Sequence, residues 1–219
     1  MSADLMDKLK QSPQLPKYVE RAQRYLEEER RRREAFYEQI REDQKAEFIN
    51  GEVIVHSPAQ VRHTATEGNI YKLLDTYVQR HEQGWVGFEK VLICLARNDY
   101  EPDVVYFGPA KAGAITPEQQ RLPAPDLVVE VLSPSTESTD RGTKFEDYAA
   151  NSVMEYWIVD PASEVVEQYL LKGEGYQLAL KSGSGELRST AIEGLVLPIR
   201  AFFDRGENLK ALQTIVGGT

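Results

Sequence analysis

A chain of 219 residues, 41% of them hydrophobic, can bury one sizeable core, and no low-complexity linker divides it. Its net charge of −9 argues against a protein that coats nucleic acid, since sequence-independent affinity for phosphates comes from lysine and arginine; a local basic face or a metal-filled acidic cleft stays compatible with a phosphodiester. No apolar stretch reaches the ~18 residues needed to cross a bilayer and the segment Met1 to Lys8 lacks the apolar core of a signal peptide, so a soluble, cytoplasmic protein is expected.

Residues 1–45 read as an N-terminal helical extension. Within 17–45 a thin apolar stripe (Tyr18, Ala22, Tyr25, Leu26, Ala35, Phe36, Ile40) runs along a highly charged helix, a face suited to packing or to a homodimer through the extension. The run Arg30 to Arg33 is flanked by Glu27, Glu28, Glu29 and Glu34, which favours solvated ion pairs over phosphate contact. Residues 46–205 read as the main domain. Its first element is a hairpin, 46–49 against 52–56, around Asn50-Gly51, the dipeptide that accepts both positive φ angles of a type I′ turn.

Ser57-Pro58 opens a helix to about Gln83, with Ile70, Leu73, Leu74, Tyr77 and Val78 on one face. Short strands follow near 85–97, 102–107 and 126–132; the lone Cys94, among Leu92, Ile93 and Leu95, is read as a buried structural thiol. A second helix is expected from an N-cap at Asp140 to about Asn151. Strands at 156–159 and 165–171 are joined by the turn Asp160-Pro161-Ala162-Ser163, and strands near 176–181 and 187–192 complete the sheet before a tail at 206–219. The order gives an α/β (α+β) fold with one central mixed β-sheet flanked by helices.

The segment Pro125 to Leu132 carries the chemistry, because Glu130 sits inside an apolar strand. An unpaired buried carboxylate costs several kcal/mol, so Glu130 is paired with a cation, neutral, or at a wet edge. Alternation puts Asp126, Val128, Glu130 and Leu132 on one face, but Asp126 and Glu130 are then roughly 13 Å apart at about 3.3 Å per residue and cannot share an ion. Asp103, after Pro102 at the mouth of another apolar strand, would meet Glu130 if the two strands are neighbours. Two carboxylates suffice for a hard cation such as Mg²⁺, which activates water and neutralises charge on a phosphate, with an ammonium, Lys144, beside it.

The ordered set Glu47 to Glu52, Ser57-Pro58, Pro102-Asp103, Pro125 to Thr136, Asp140 to Lys144 and Glu155 to Pro161 resembles the Uma family of bacterial restriction-endonuclease-like proteins over about residues 35–205. That family belongs to the PD-(D/E)XK nuclease superfamily. The resemblance implies a restriction-endonuclease-like fold, a divalent metal (Mg²⁺ or Mn²⁺) and hydrolysis of DNA, with Asp103 and Glu130 as metal-binding catalytic acids. Leu132 stands where the superfamily has lysine, which points to Lys144, displaced to the following helix, as the third catalytic residue.

Each residue also has a plainer reading. Glu130 is a salt-bridge partner, Asp103 a strand-opening residue, and Lys144 a partner of Asp140 or Asp147 on its own helix. Glu47 is an outer ligand or a surface charge of the hairpin; His63, sharing a helix face with Glu67, and Tyr148 border the site or pack. Two functions therefore stand beside each other, a metal-dependent endonuclease and a catalytically silent interaction protein on a nuclease fold, with hydrolysis of another phosphodiester as a third.

Overall fold

The computed structural model describes residues 3–41 and 43–217; Met1 and Ser2 of the expected extension, Glu42 before the hairpin, and Gly218 and Thr219 at the C-terminus lie outside the described residues. The extension forms α1 (Ala3–Gln11) and α2 (Leu15–Gln39). The helix stops six residues earlier than expected, where Ile40 takes an extended ψ of 135°. Only its second half is packed. Phe36 is buried against Ala46, Phe48 and Leu92, while Tyr18, Tyr25 and Leu26 stay exposed.

The arginine run divides in the same way. Arg30 and Arg31 pair with Glu27 on the exposed face as expected. Arg33, in contrast to a solvated reading, reaches across to the buried Asp99 and to the Leu95 carbonyl. It therefore ties α2 to the body of the protein.

The hairpin is present, β1 (Ala46–Ile49) against β2 (Glu52–Val55), with Asn50 at φ +53° and Gly51 at +87°. The next helix, α3 (Val61–Arg80), begins later than Ser57-Pro58 suggested. A residue before proline disfavours helical backbone. The chain stays non-helical to Gln60, whose carbonyl accepts the first turn's His63 and Thr64 N–H groups.

The next strands are β3 (Trp85–Phe88), β4 (Leu92–Cys94), β5 (Asp99–Tyr100) and β6 (Val104–Phe107). A short helix α4 (Pro109–Ala112) leads to β7 (Arg121–Leu122) and β8 (Leu127–Val131). Helices α5 (Glu137–Asp140) and α6 (Thr143–Ala150) then precede β9 (Glu155–Asp160), β10 (Val165–Lys172), β11 (Gly175–Ser182), β12 (Glu186–Arg188) and β13 (Val196–Pro198).

Among the described residues the central mixed sheet has the order β11-β10-β9-β8-β6-β3, with β8 and β9 parallel and the other pairs antiparallel. A second sheet, β2-β1-β5-β4-β7, adds to the single one expected. The alternation of β8 decides the layering. Leu127, Val129 and Val131 face a core with Ile70, Leu73 and Leu74 of α3, while Val128 faces Tyr100, Tyr148 and Tyr156. Each fully buried Val or Leu contributes roughly 1.5–3 kcal/mol, so Glu130 on this strand needs strong compensation.

One helix was expected from Asp140; the structure has two. Asp140 closes α5 and does not cap α6. The break falls at Gly142, where a Cβ would lie 2.8 Å from the Ser138 carbonyl, too close for a side chain without local movement. The break turns α6 so that Lys144 points back at Asp140. The expected tail is mostly helix α7 (Arg205–Gly217), whose Asn208 donates to the carbonyls of Asn69 and Ala201 and so locks it to α3. No described helix is long and apolar enough to cross a membrane.

Candidate active site

The antiparallel register Val104↔Val129 brings Asp103, one residue before β6, to Glu130 at the next position of β8. Asp103 Oδ2 accepts the Val131 N–H at 2.8 Å, which fixes the carboxylate on the end of the strand pair. Its Oδ1 lies 2.7 Å from Lys45 Nζ and 3.4 Å from His63 Nε2. Burial pushes this carboxyl up, but Lys45 and His63 outweigh it and hold it well below the usual range.

Glu130 is likewise buried. Its Oε1 takes Lys144 Nζ at 3.0 Å and the Tyr148 hydroxyl at 2.8 Å. Lys144 also lies 2.9 Å from Glu47 Oε1 and 3.3 Å from Asp140 Oδ1. One ammonium cannot neutralise three carboxylates, and the acids divide accordingly. Burial raises Glu47 as well, but Lys144 and His56, the latter 2.9 Å from Oε2, bring it down to about 2. Burial wins at Glu130, pushed up to about 8 against the pull of Lys144, and at Asp140, also raised.

A third group stands on α3, where i, i+4 spacing places His63 and Glu67 on one face. Glu67 is 2% exposed and its Oε1 has no hydrogen-bond partner; His63 Nδ1 has none either. Burial, with Asp103 and Glu89 nearby, pushes Glu67 up to about 9. His63, Glu67 and Asp103 each offer one ligand atom within 4.8 Å of the others.

Asp103, Glu130, Lys144 and His63 all line one cavity of about 520 Å³, with Lys45, His56 and Glu89. Glu47 stands behind it, joined through Lys144; it is fully buried and is no surface charge of the hairpin. Tyr148 does not border the cavity. It packs between Tyr100 and Tyr156 and acts through its bond to Glu130. Lys144 pairs with Asp140 but not with Asp147, which accepts from Asn98 and Tyr100. Asp126 is spent on the Gly108 N–H and Lys111.

Lys45 escaped the sequence reading, although alternation sets it on the face of Glu47 just before β1. Asp140 is no helix cap, but its pairing with Lys144, the plainer reading of that lysine, is present: the i, i+4 spacing survives the helix break because the two turns fold together.

A mixed sheet flanked by helices, with acids from neighbouring strands and a lysine meeting in one cavity, defines a nuclease-like protein. Residues 33–200 match the Uma2 family, described as "Putative restriction endonuclease", and the chain belongs to that family. Two uncharacterized proteins of Synechocystis are similar. One is 29% identical over 134 residues, covering 60% of this chain and 75% of the relative; the other is 45% identical over 62 residues, covering 28% and 33%. A crystal structure from Anabaena variabilis, titled a "putative nuclease belonging to DUF820", superposes with a TM-score of 0.66 at 18% identity, over 81% of this chain and 96% of that one. The last comparison concerns the fold.

Proposed function

We propose that this chain is a divalent-metal-dependent endonuclease that hydrolyses DNA phosphodiester bonds, with Asp103, Glu130 and Lys144 at its centre. The observation that carries this reading is the meeting of Asp103 with Glu130 in one cavity, with Glu67, whose Oε1 has no hydrogen-bond partner, within ligand reach of Asp103 and His63. A buried carboxylate oxygen without a hydrogen bond is costly unless a cation or proton satisfies it, so the donor set suits an ion. Asp103, Glu67 and His63 would hold it, with Glu130, which Lys144 and Tyr148 both hold through Oε1, on the cavity that Asp103 and His63 line. An imidazole beside carboxylates favours Mn²⁺ over Mg²⁺, which prefers an all-oxygen shell. When bound, such an ion lowers the pKa of its water and neutralises charge on the phosphate.

The two lysines take separate parts. Lys144, 3% exposed among three carboxylates, holds Glu130 and Glu47 in place and keeps Glu130 oriented through Oε1. Lys45, 22% exposed on the cavity, is the ammonium that meets the substrate phosphate and stabilises the charge developing there. Tyr148 fixes Glu130 from behind.

A second reading, a silent interaction protein on the same fold, draws on the pairs Lys45–Asp103 and Lys144–Glu130, which give each acid an ammonium partner without an ion. Incubation of supercoiled plasmid with the wild-type chain and Mn²⁺ or Mg²⁺ separates the two. Nicked or linear product, abolished by a chelator and by Asp103→Asn, is the expected result. Intact plasmid under every metal condition sinks the nuclease reading.

A further inference from the structure

Two lysines approach the carboxylates of the site, and the fold holds them differently. Lys45 meets one carboxylate, Asp103, from the partly exposed rim of the cavity, so its ammonium can swing aside for an ion. Lys144 is buried and meets three: Glu47 at 2.9 Å, Glu130 at 3.0 Å and Asp140 at 3.3 Å. It has nowhere to swing.

The three acids come from separate elements, Glu47 from β1, Glu130 from β8 and Asp140 from α5, and all three are buried. Carboxylate oxygens converging in this way on one buried point are the donors a hard divalent cation takes. Lys144 Nζ stands at that point. Its fit is incomplete. It donates to Glu130 Oε1, whereas Asp140 Oδ1, in a residue 1% exposed, has no hydrogen-bond partner although Nζ is 3.3 Å away. A buried carboxylate oxygen in this condition calls for a cation.

A divalent ion cannot share the position. Mg²⁺ needs its oxygens at about 2.0–2.1 Å, and the nitrogen already fills the space among the three. Access is not the obstacle. Lys144 lines the active-site cavity and also a smaller one of about 130 Å³ walled by Glu47, Asp140, Ser135 and Thr136. Shortening the lysine would open both cavities onto the three acids.

We propose that Lys144 occupies the second cation position of this centre, so that the chain takes a single divalent ion, at Asp103, Glu67 and His63, and carries the other positive charge as a fixed ammonium. The first ion rests on the metal-dependent reading above; the place of Lys144 does not. Centres that hold two ions use the pair to clamp the attacking and leaving oxygens of a phosphodiester. Here one member of the pair is part of the chain and never dissociates.

The test counts Mn²⁺ ions bound per full chain at pH 8 by calorimetric titration, with melting curves in Mn²⁺ and in a chelator. Wild type should bind one. Lys144→Ala should bind two, and adding Glu47→Gln should weaken the second at least about tenfold while leaving the first. Lys144→Met, whose side chain still fills the position, should stay at one. Mn²⁺ should restore at least half of the melting deficit of Lys144→Ala and little of that of Lys144→Met; if Lys144→Ala folds only with metal, that rescue gives the same answer.

Two ions in wild type overturn the inference and leave the nuclease reading standing. Lys144→Ala that binds no more Mn²⁺ than wild type, or that Mn²⁺ does not restore, also overturns it. One ion in Lys144→Ala and none in wild type supports the place of Lys144 and removes the metal-dependent reading.

Discussion

Replacing Lys144 with methionine keeps the volume of the side chain and removes the one charge shared by Glu47, Glu130 and Asp140. Glu47 is fully buried and held at about 2 against an ordinary 4.5. At about 1.4 kcal/mol per unit, that gap is worth about 3 kcal/mol, shared between Lys144 and His56. Removing one partner of a buried ion pair costs about 3–5 kcal/mol in general. With about 2–4 °C per kcal/mol for a chain of this size, the variant should melt roughly 10 °C below wild type at pH 8.

The deficit should depend on pH. In wild type, the Glu47 contribution is present above pH 4.5 and is lost as pH falls through about 2. Without Lys144 the same carboxyl, buried beside two others, rises above its unfolded value, so the variant loses stability as pH climbs. Melting curves at pH 5 and pH 8 should show the deficit at least halved at the lower pH. An equal deficit at both would assign the loss to packing and refute the shared-charge argument.

Glu130 and Glu67, raised to about 8 and about 9, favour the folded state below pH 4.5 and withdraw that stability as pH rises through those values. The metal-free chain should therefore melt lower at pH 9 than at pH 6, and Mn²⁺ should raise the midpoint more at the higher pH; calorimetric scans at four pH values check the sign. Lys45→Gln, at the cavity surface, should cut DNA hydrolysis by roughly 100-fold while Mn²⁺ affinity stays equal or improves, because it removes a transition-state charge and frees Asp103 Oδ1. Arg33→Met leaves Asp99 buried beside the Tyr37 hydroxyl without its guanidinium partner, and urea unfolding should show about 3 kcal/mol lost, with DNA hydrolysis unchanged at temperatures where the chain is folded.

What could be read from the sequence was local. Asn50-Gly51 names its own turn, and the alternation of Leu127 to Val131 places Glu130 on one face of β8 before any partner is known. Asp103 followed from apolar strand patterning together with the family resemblance. The features that were missed depend on contacts far apart in the chain. The two-residue strands β5 and β7 are too short to show a period. Helix α7 buries Ala211 and Asn208 while Leu209 and Val216 face water, so its pattern gives no apolar stripe. The role of Lys144 leans on the resemblance, and of its three carboxylates only Asp140, four residues earlier, is visible in the spacing; Glu47 and Glu130 stand on β1 and β8, which only the folded chain brings to it.

The central claim is that the cavity around Asp103 is a divalent-cation site. Titration of Mn²⁺ into the wild-type chain and Asp103→Asn at pH 8, followed by calorimetry, tests it most directly, since asparagine can still accept the Val131 N–H and hold the strand end. A saturable site in wild type that weakens at least about tenfold in the variant is the predicted result. Equal binding by the two chains, or none by either, would contradict it.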